Sequence, residues 1–188
     1  DFIVGVLGNP NCGKTTLFNA LTGARQRTGN WPGVTVERKE GHYSFEGSEI
    51  DLVDLPGVYS LDPSHSSIDE VVARKYIMSG EADMILNVID ASNLERNLYL
   101  TVQLLEMRVP VVIALNMTDV ARERGIAIDR ERLSSMLGCP VIETIASRGQ
   151  SIDELKQLVL RTAVNRPRPS LPISYSELIE ESLKETEI

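Results

Sequence analysis

Gly8-Asn9-Pro10-Asn11-Cys12-Gly13-Lys14-Thr15 is the stretch whose reading decides the fold. An apolar run, Ile3 to Leu7, precedes it and Thr16-Leu17-Phe18-Asn19-Ala20-Leu21 follows. The pattern G-x-x-x-x-G-K-[ST] therefore lies between a predicted strand and a predicted helix, the context in which it means a phosphate-binding loop. Gly8 and Gly13 let the backbone turn tightly, so that consecutive N–H groups point into one hollow that a polyphosphate fills. The dipole of the following helix favours negative charge there. Lys14 is placed to reach the β- and γ-phosphates, and the Thr15 hydroxyl to bind Mg²⁺.

Outward from this loop, short apolar runs alternate with amphipathic segments of helical length. The runs are Ile3–Leu7, Ile50–Val53, Met84–Ile89 and Val111–Leu115, with a last one near Val141–Ile145. They read as strands buried on both faces, which predicts a mostly parallel sheet with helices on both sides. Val34 to Phe45 reads as an extended segment paired through a turn at Glu46-Gly47-Ser48, the only antiparallel pair expected. S-x-x-E capping boxes at Ser67/Glu70, Ser92/Glu95 and Ser151/Glu154 mark helix starts, and another helix is expected around Asp129–Leu137 with Gly138 ending it. Residues 1–165 form one domain on this reading. Arg166-Pro167-Arg168-Pro169-Ser170-Leu171-Pro172 is a stiff linker within 166–173, and Ser174/Glu177 caps a helix over 174–188 that belongs to a further module. The chain opens at Asp1 inside a strand and ends in an unterminated helical pattern, so it reads as a piece of a longer protein.

The 188 residues are 42% apolar and 24% charged, with a net charge of −8. That balance argues against a nucleic-acid-binding surface, which needs a basic face. Cys12 and Cys139 have no C-x-x-C spacing and read as free thiols in a reducing cytosol. No run approaches the roughly 18 apolar residues of a membrane-spanning helix.

Further motifs stand at predicted strand ends. In Asp54-Leu55-Pro56-Gly57, the carboxylate is expected to hold Mg²⁺ through water and the Gly57 N–H to contact a γ-phosphate. In Asn116-Met117-Thr118-Asp119, Asp119 can accept two hydrogen bonds from N1–H and the 2-amino group of guanine, donors that adenine lacks. Asn116 is expected to brace the phosphate loop, and Ala146-Ser147-Arg148-Gly149 to present backbone N–H groups to the base. The polar, Gly-rich segment from Ala24 to Thr35 reads as a mobile loop that a triphosphate orders through Gly33 and Thr35. Trp31 within it is expected to pack on nearby apolar surface. For Cys12, a small loop-filling thiol competes with a redox- or metal-sensitive thiol whose pKa is lowered by adjacent N–H groups. His42 and His65 are far apart and suggest no iron site.

The phosphate loop, the stretch Gly29-Asn30-Trp31-Pro32-Gly33-Val34-Thr35-Val36-Glu37, Asp54 to Gly57, and Asp90-Ala91-Ser92-Asn93-Leu94-Glu95-Arg96-Asn97-Leu98 together resemble the cytoplasmic G domain of bacterial ferrous iron transport protein B. The resemblance runs from Ile3 to about Ala163. It implies a Ras-like P-loop GTPase fold: an α/β domain with a mostly parallel six-stranded sheet, one antiparallel edge hairpin and the start of a helical module. It implies GTP and GDP as ligands at Gly8, Asn9, Asn11, Cys12, Gly13, Lys14, Thr15, Thr16, Gly33, Thr35, Asp54, Gly57, Asn116, Met117, Asp119, Ala146, Ser147 and Arg148. Mg²⁺ falls to Thr15, Thr35 and Asp54, and K⁺ to Asn11, whose alternative role is to shape the loop. Asn11, Lys14, Thr35 and Gly57 would act on the reaction. Implied partners are an attached transmembrane iron permease, small accessory proteins and further copies of the full-length protein, with no nucleic acid, at the cytoplasmic face of the bacterial inner membrane.

Two positions depart from the usual pattern. Val58 follows Gly57 where a glutamine would orient the attacking water, so slow intrinsic hydrolysis is expected. Ala146 stands where most G proteins carry Ser or Thr, so a loosely held base loop and fast GDP release are expected. A soluble GTPase of ribosome assembly or tRNA modification, and a module that binds nucleotide without useful hydrolysis, are the competing readings.

Overall fold

The computed structural model describes residues 1–65 and 67–170. The helix expected over 174–188, with its Ser174/Glu177 cap, lies outside the described residues. β1 (Phe2–Gly8) leads through the phosphate loop into α1 (Lys14–Thr22), followed by β2 (Gln26–Asn30), β3 (Glu37–Phe45) and β4 (Ser48–Asp54). Then come α2 (Ile68–Ser79), β5 (Met84–Asp90), α3 (Leu94–Glu106), β6 (Val111–Asn116), α4 (Thr118–Glu123), α5 (Arg130–Leu137), β7 (Val141–Glu143) and α6 (Ile152–Asn165). No helix among the described residues is long and apolar enough to cross a membrane.

The sheet order is β2-β3-β4-β1-β5-β6-β7. β4, β1, β5, β6 and β7 run parallel, and β3 and β2 add two antiparallel pairs at one edge. The sheet thus has seven strands rather than six and two antiparallel pairs rather than one. The extra strand, β2, comes from the segment that reads as a mobile loop. Its residues Gln-Arg-Thr-Gly-Asn are mostly exposed, and their side chains show no apolar alternation because an edge strand here needs only backbone pairing. The β3–β4 turn follows the expected reading: Glu46 and Gly47 both have positive φ, 47° and 79°, as a two-residue hairpin turn requires.

β5 and β6 are buried almost throughout, which is why they read as unbroken apolar runs. One face of the sheet is covered by Ala73 and Ile77 of α2, Leu98 and Leu105 of α3 and Leu133 and Leu137 of α5. The other carries Leu17 and Phe18 of α1 against Leu155 and Val159 of α6. Trp31 packs as expected, its ring 5.4 Å edge-on from Tyr76 with the Arg38 guanidinium 4.5 Å over it.

The capping signals divide. Ser67 caps α2 by accepting from the Glu70 N–H, and Asp129 and Gly138 bound α5. At the other two boxes the serine does not cap. Asp90 instead accepts from the N–H and hydroxyl of Ser92 at 2.8 and 2.6 Å, so α3 starts later, at Leu94. Ser151 sits at φ 66° with no side-chain cap. His42, on β3, bonds Asp51 and Glu49 across the hairpin.

α3 is fixed to the sheet by buried amides rather than by apolar packing alone. Asn97 accepts from the Asp90 N–H at 3.2 Å and donates to the Asn93 carbonyl at 2.8 Å. One turn on, the Thr101 hydroxyl donates to Asn87 Oδ1 at 2.7 Å, and Asn87 donates to the Leu7 carbonyl at 3.2 Å. Each group satisfies the next. Thr101→Val leaves Asn87 Oδ1 buried without its donor and is expected to cost about 1–3 kcal/mol. Urea unfolding of the two proteins measures it, and equal midpoints would contradict the ladder.

Candidate functional site

The parallel strands β1, β4, β5 and β6 end on one side of the sheet, where an open α/β sheet presents groups to a ligand. Gly8 closes β1 and is required by close approach: a Cβ there would stand 2.7 Å from Cys12 Sγ and 2.8 Å from the Val88 carbonyl oxygen. Gly13 has φ 87°, and its Cβ would meet Asn116 Nδ2 at 2.2 Å. Asn11 also lies in the left-handed region, at φ 66°, with its side chain exposed. No acidic residue occupies the first turn of α1 and no side chain caps it, so its positive end faces the loop unneutralised. Thr15 and Thr16 are exposed in that turn.

β4 delivers Asp54 beside the loop, where Lys14 Nζ donates to Asp54 Oδ1. The two side chains are only 11% and 16% exposed, so the ion pair is shielded from solvent. Beyond it, the Leu55 N–H bonds the Val6 carbonyl at 2.9 Å and the Val58 N–H bonds the Gly8 carbonyl at 3.2 Å. These bonds lay Gly57 against Pro10. Val58 is buried and offers no polar group.

β6 ends at Asn116, which joins two loops. Its Nδ2 donates to the Cys12 carbonyl at 3.2 Å, while its Oδ1 accepts from the Ala146 N–H at 3.0 Å and the Thr144 hydroxyl at 3.2 Å. The Thr118 hydroxyl in turn donates to the Thr144 carbonyl at 3.4 Å. Met117 is left-handed at φ 62°, and α4 then starts with Asp119 in its first turn. Gly13, Thr16, Asn116, Met117, Asp119, Ala146 and Ser147 line one hollow of about 140 Å³ together with Val120 and Ile145. Arg148 stands 3.7 Å from Asp119. Wider clefts elsewhere, such as the one of about 540 Å³ beside β2 and β3, include no residue of the phosphate loop.

Thr35 is exposed in the loop after Trp31, with Gly33 at φ 76°. The structure brings it into no hydrogen bond with Lys14, Thr15 or Asp54 among the described residues. The segment expected to move as a whole is instead divided, because β2 takes Gln26–Asn30 and the Trp31 N–H bonds the Val36 carbonyl at 2.9 Å.

The loop and strand pattern agrees with a family model described as Ferrous iron transport protein B, which matches residues 2–159. The chain belongs to that family. It is 57% identical over 164 residues to the Fe(2+) transporter FeoB of Shigella flexneri, and equally to that of Escherichia coli K12. These alignments cover 86% of the chain but 21% of each transporter, so the chain spans about a fifth of their length. The cytosolic domain of L. pneumophila FeoB superposes with a TM-score of 0.83 at 51% identity, covering 92% of this chain and 72% of that one. The cytosolic domain of T. maritima FeoB in its GMPPNP form gives 0.83 at 47% identity over 87% and 64%. Its GDP form I gives 0.82 at 47% identity over 86% and 63%. The fold is that of a Ras-like P-loop GTPase.

Sequence reasoning missed Thr118 and Thr144, whose hydroxyls donate to the Thr144 carbonyl and to Asn116 Oδ1 just before the Ala146–Gly149 loop. A Thr at a strand end carries no distinguishing signal, since β-branched residues are favoured there anyway. Of the two readings of Cys12, the structure favours the loop-filling thiol over the one with a lowered pKa. Cys12 is 1% exposed, and burial pushes its thiol up to about 11 against smaller lowering by the Lys14 backbone N–H and charge. Cys139 is likewise pushed up to about 12 by burial. At pH 7 both thiols are therefore held in the protonated, unreactive form. Neither cysteine should react with a thiol reagent at pH 7.5 in the folded chain, and both should react in denaturant. Rapid labelling of Cys12 in the folded state would contradict this burial.

Proposed function

We propose that this chain binds guanine nucleotides and slowly hydrolyses GTP to GDP and phosphate, as the switching domain of a ferrous iron transporter. The observation that carries it is the single hollow where Asp119, the Ala146 backbone and Gly13 converge, bonded to the phosphate loop through Asn116. A carboxylate there matches the paired donors of guanine. That related cytosolic domains are described in GDP and GMPPNP forms supports the same choice.

The donor set fits a Mg²⁺-bound triphosphate. The glycine cradle leaves room that any Cβ would fill, Lys14 supplies the cation and the unneutralised start of α1 the N–H groups. Thr15, Thr35 and Asp54 would hold Mg²⁺, which neutralises charge on the β- and γ-phosphates. To do so, Asp54 and Lys14 would give up their mutual ion pair. Gly57 offers its N–H to the γ-phosphate, and the 32–35 loop closes over it. Asn11, exposed beside the loop, would hold K⁺ where other GTPases place an arginine. Without a polar group at Val58, water is oriented by backbone alone, which keeps the reaction slow. The guanine loop is held by the Thr144 hydroxyl and the Ala146 N–H on Asn116, and with no hydroxyl at position 146 to add to these bonds GDP is expected to leave fast.

On this reading residues 1–165 are the G domain, 166–173 a linker and 174–188 the first helix of a helical module. The partners are the transporter's own iron permease domain, accessory proteins and other copies, at the cytoplasmic face of the inner membrane. Single-turnover GTP hydrolysis with Mg²⁺, in K⁺ and in Na⁺, tests it. K⁺ should raise the rate several-fold in the chain and not in Asn11→Ala. Equal rates in both salts for both proteins would remove the K⁺ role, and no hydrolysis at all would leave a binding module.

A further inference from the structure

Asp90-Ala91-Ser92-Asn93-Leu94-Glu95-Arg96-Asn97-Leu98 is not absorbed by nucleotide binding, yet Arg96 within it touches both Asn9 of the phosphate loop and Tyr59 of the segment after β4. Taking the chain as the GTPase proposed, we propose that Gln103, with Arg96, is a positioning residue: α3 holds the 55–61 segment in register with the phosphate loop, so that Gly57 meets the γ-phosphate.

Four observations converge. Gln103 Oε1 accepts from the backbone N–H of Leu61 at 2.8 Å, a contact spanning 42 residues, and Leu61 itself is buried. Seven residues earlier, two turns away on the same side of α3, the Arg96 guanidinium lies 4.5 Å over the Tyr59 ring. The backbone of Arg96 also faces the phosphate loop, its carbonyl accepting from Asn9 Nδ2 at 3.4 Å. α3 cannot drift, because Asn97 and Thr101 bind it to β5 and, through Asn87, to the Leu7 carbonyl one residue before the loop begins. One helix therefore fixes Tyr59 and Leu61 from one side while the Val58 N–H fixes the same loop to Gly8.

Gly57 lies between these anchors and the Lys14–Asp54 pair. Freeing Leu61 leaves Gly57 held by the Leu55 and Val58 backbone bonds alone, which loosens it at the γ-phosphate position without disturbing Asn116, Asp119 or the glycine cradle. The consequence is selective. GDP, which has no γ-phosphate, should bind as before, whereas affinity for a GTP analogue and the hydrolysis rate should fall.

The test uses the 188-residue chain with three substitutions, reading affinities for GMPPNP and GDP and the single-turnover rate. Gln103→Leu keeps the size and removes the acceptor. It should lower both the GMPPNP-to-GDP affinity ratio and the rate about five-fold or more, with GDP affinity kept. Gln103→Glu retains an oxygen for the Leu61 N–H and should stay near wild type. Arg96→Ala, at an exposed position, should lower the ratio about two-fold even where the Gln103 substitution impairs folding. A ratio and rate unchanged in Gln103→Leu, or lowered as far in Gln103→Glu as in Gln103→Leu, would overturn the proposal. So would an unchanged ratio in Arg96→Ala if Gln103→Leu does not fold. A wild-type chain that binds neither nucleotide overturns the GTPase reading itself, a result seen without any variant.

Discussion

One buried amide ties the two halves of the candidate site together. Asn116 donates to the phosphate loop at Cys12 and accepts from the base loop at Thr144 and Ala146, so neither loop can shift without the other. The side chain is 2% exposed, and a buried amide of this kind is costly to leave unmatched, which makes its partners positional requirements. Gly13 follows from it directly, since any side chain there would occupy the space of the Asn116 amide. Thr118 and Thr144 follow as well, because they complete the hydrogen bonding around it.

A second set of buried amides performs the same task for the mobile side of the site. Asn87, Asn97 and Thr101 make α3 continuous with β1 and β5. The loop after β4 is then anchored on that surface at Tyr59 and Leu61. This arrangement separates the cradle and base hollow, fixed by Asn116, from the loop proposed to meet the third phosphate. Two turns of one helix and a single strand end carry the division.

Much of this was legible in the residues. The phosphate loop, Asp54-x-x-Gly57 and Asn116-x-x-Asp119 stand at strand ends in the expected order, and the buried strands read correctly because both faces are apolar. β2 was not legible, since Gln26–Asn30 pairs only through its backbone and an edge strand imposes no apolar period. The serine boxes at Ser92 and Ser151 misled for a related reason: a capping signature names a local option, and Asp90 took the Ser92 hydroxyl first. Contacts such as Gln103 to Leu61 join residues distant in sequence, and a lone Gln on a helix announces nothing about its partner.

Cys12 shows how the same pattern yields opposite chemistry once burial is known. Adjacent N–H groups and a helix start favour a thiolate, but a side chain sealed under Gly8 loses more by desolvation than it gains. It fills space in the loop.

The most direct test of the guanine reading is base exchange at Asp119. Xanthine carries a carbonyl where guanine carries its 2-amino group, so an amide at this position should favour xanthine. Titration of GDP and XDP into the chain and into Asp119→Asn should show a reversal of preference, with GDP weakened about 100-fold or more in the variant. GDP and XDP binding equally well to the unmodified chain, or an unchanged preference in Asp119→Asn, would contradict the account.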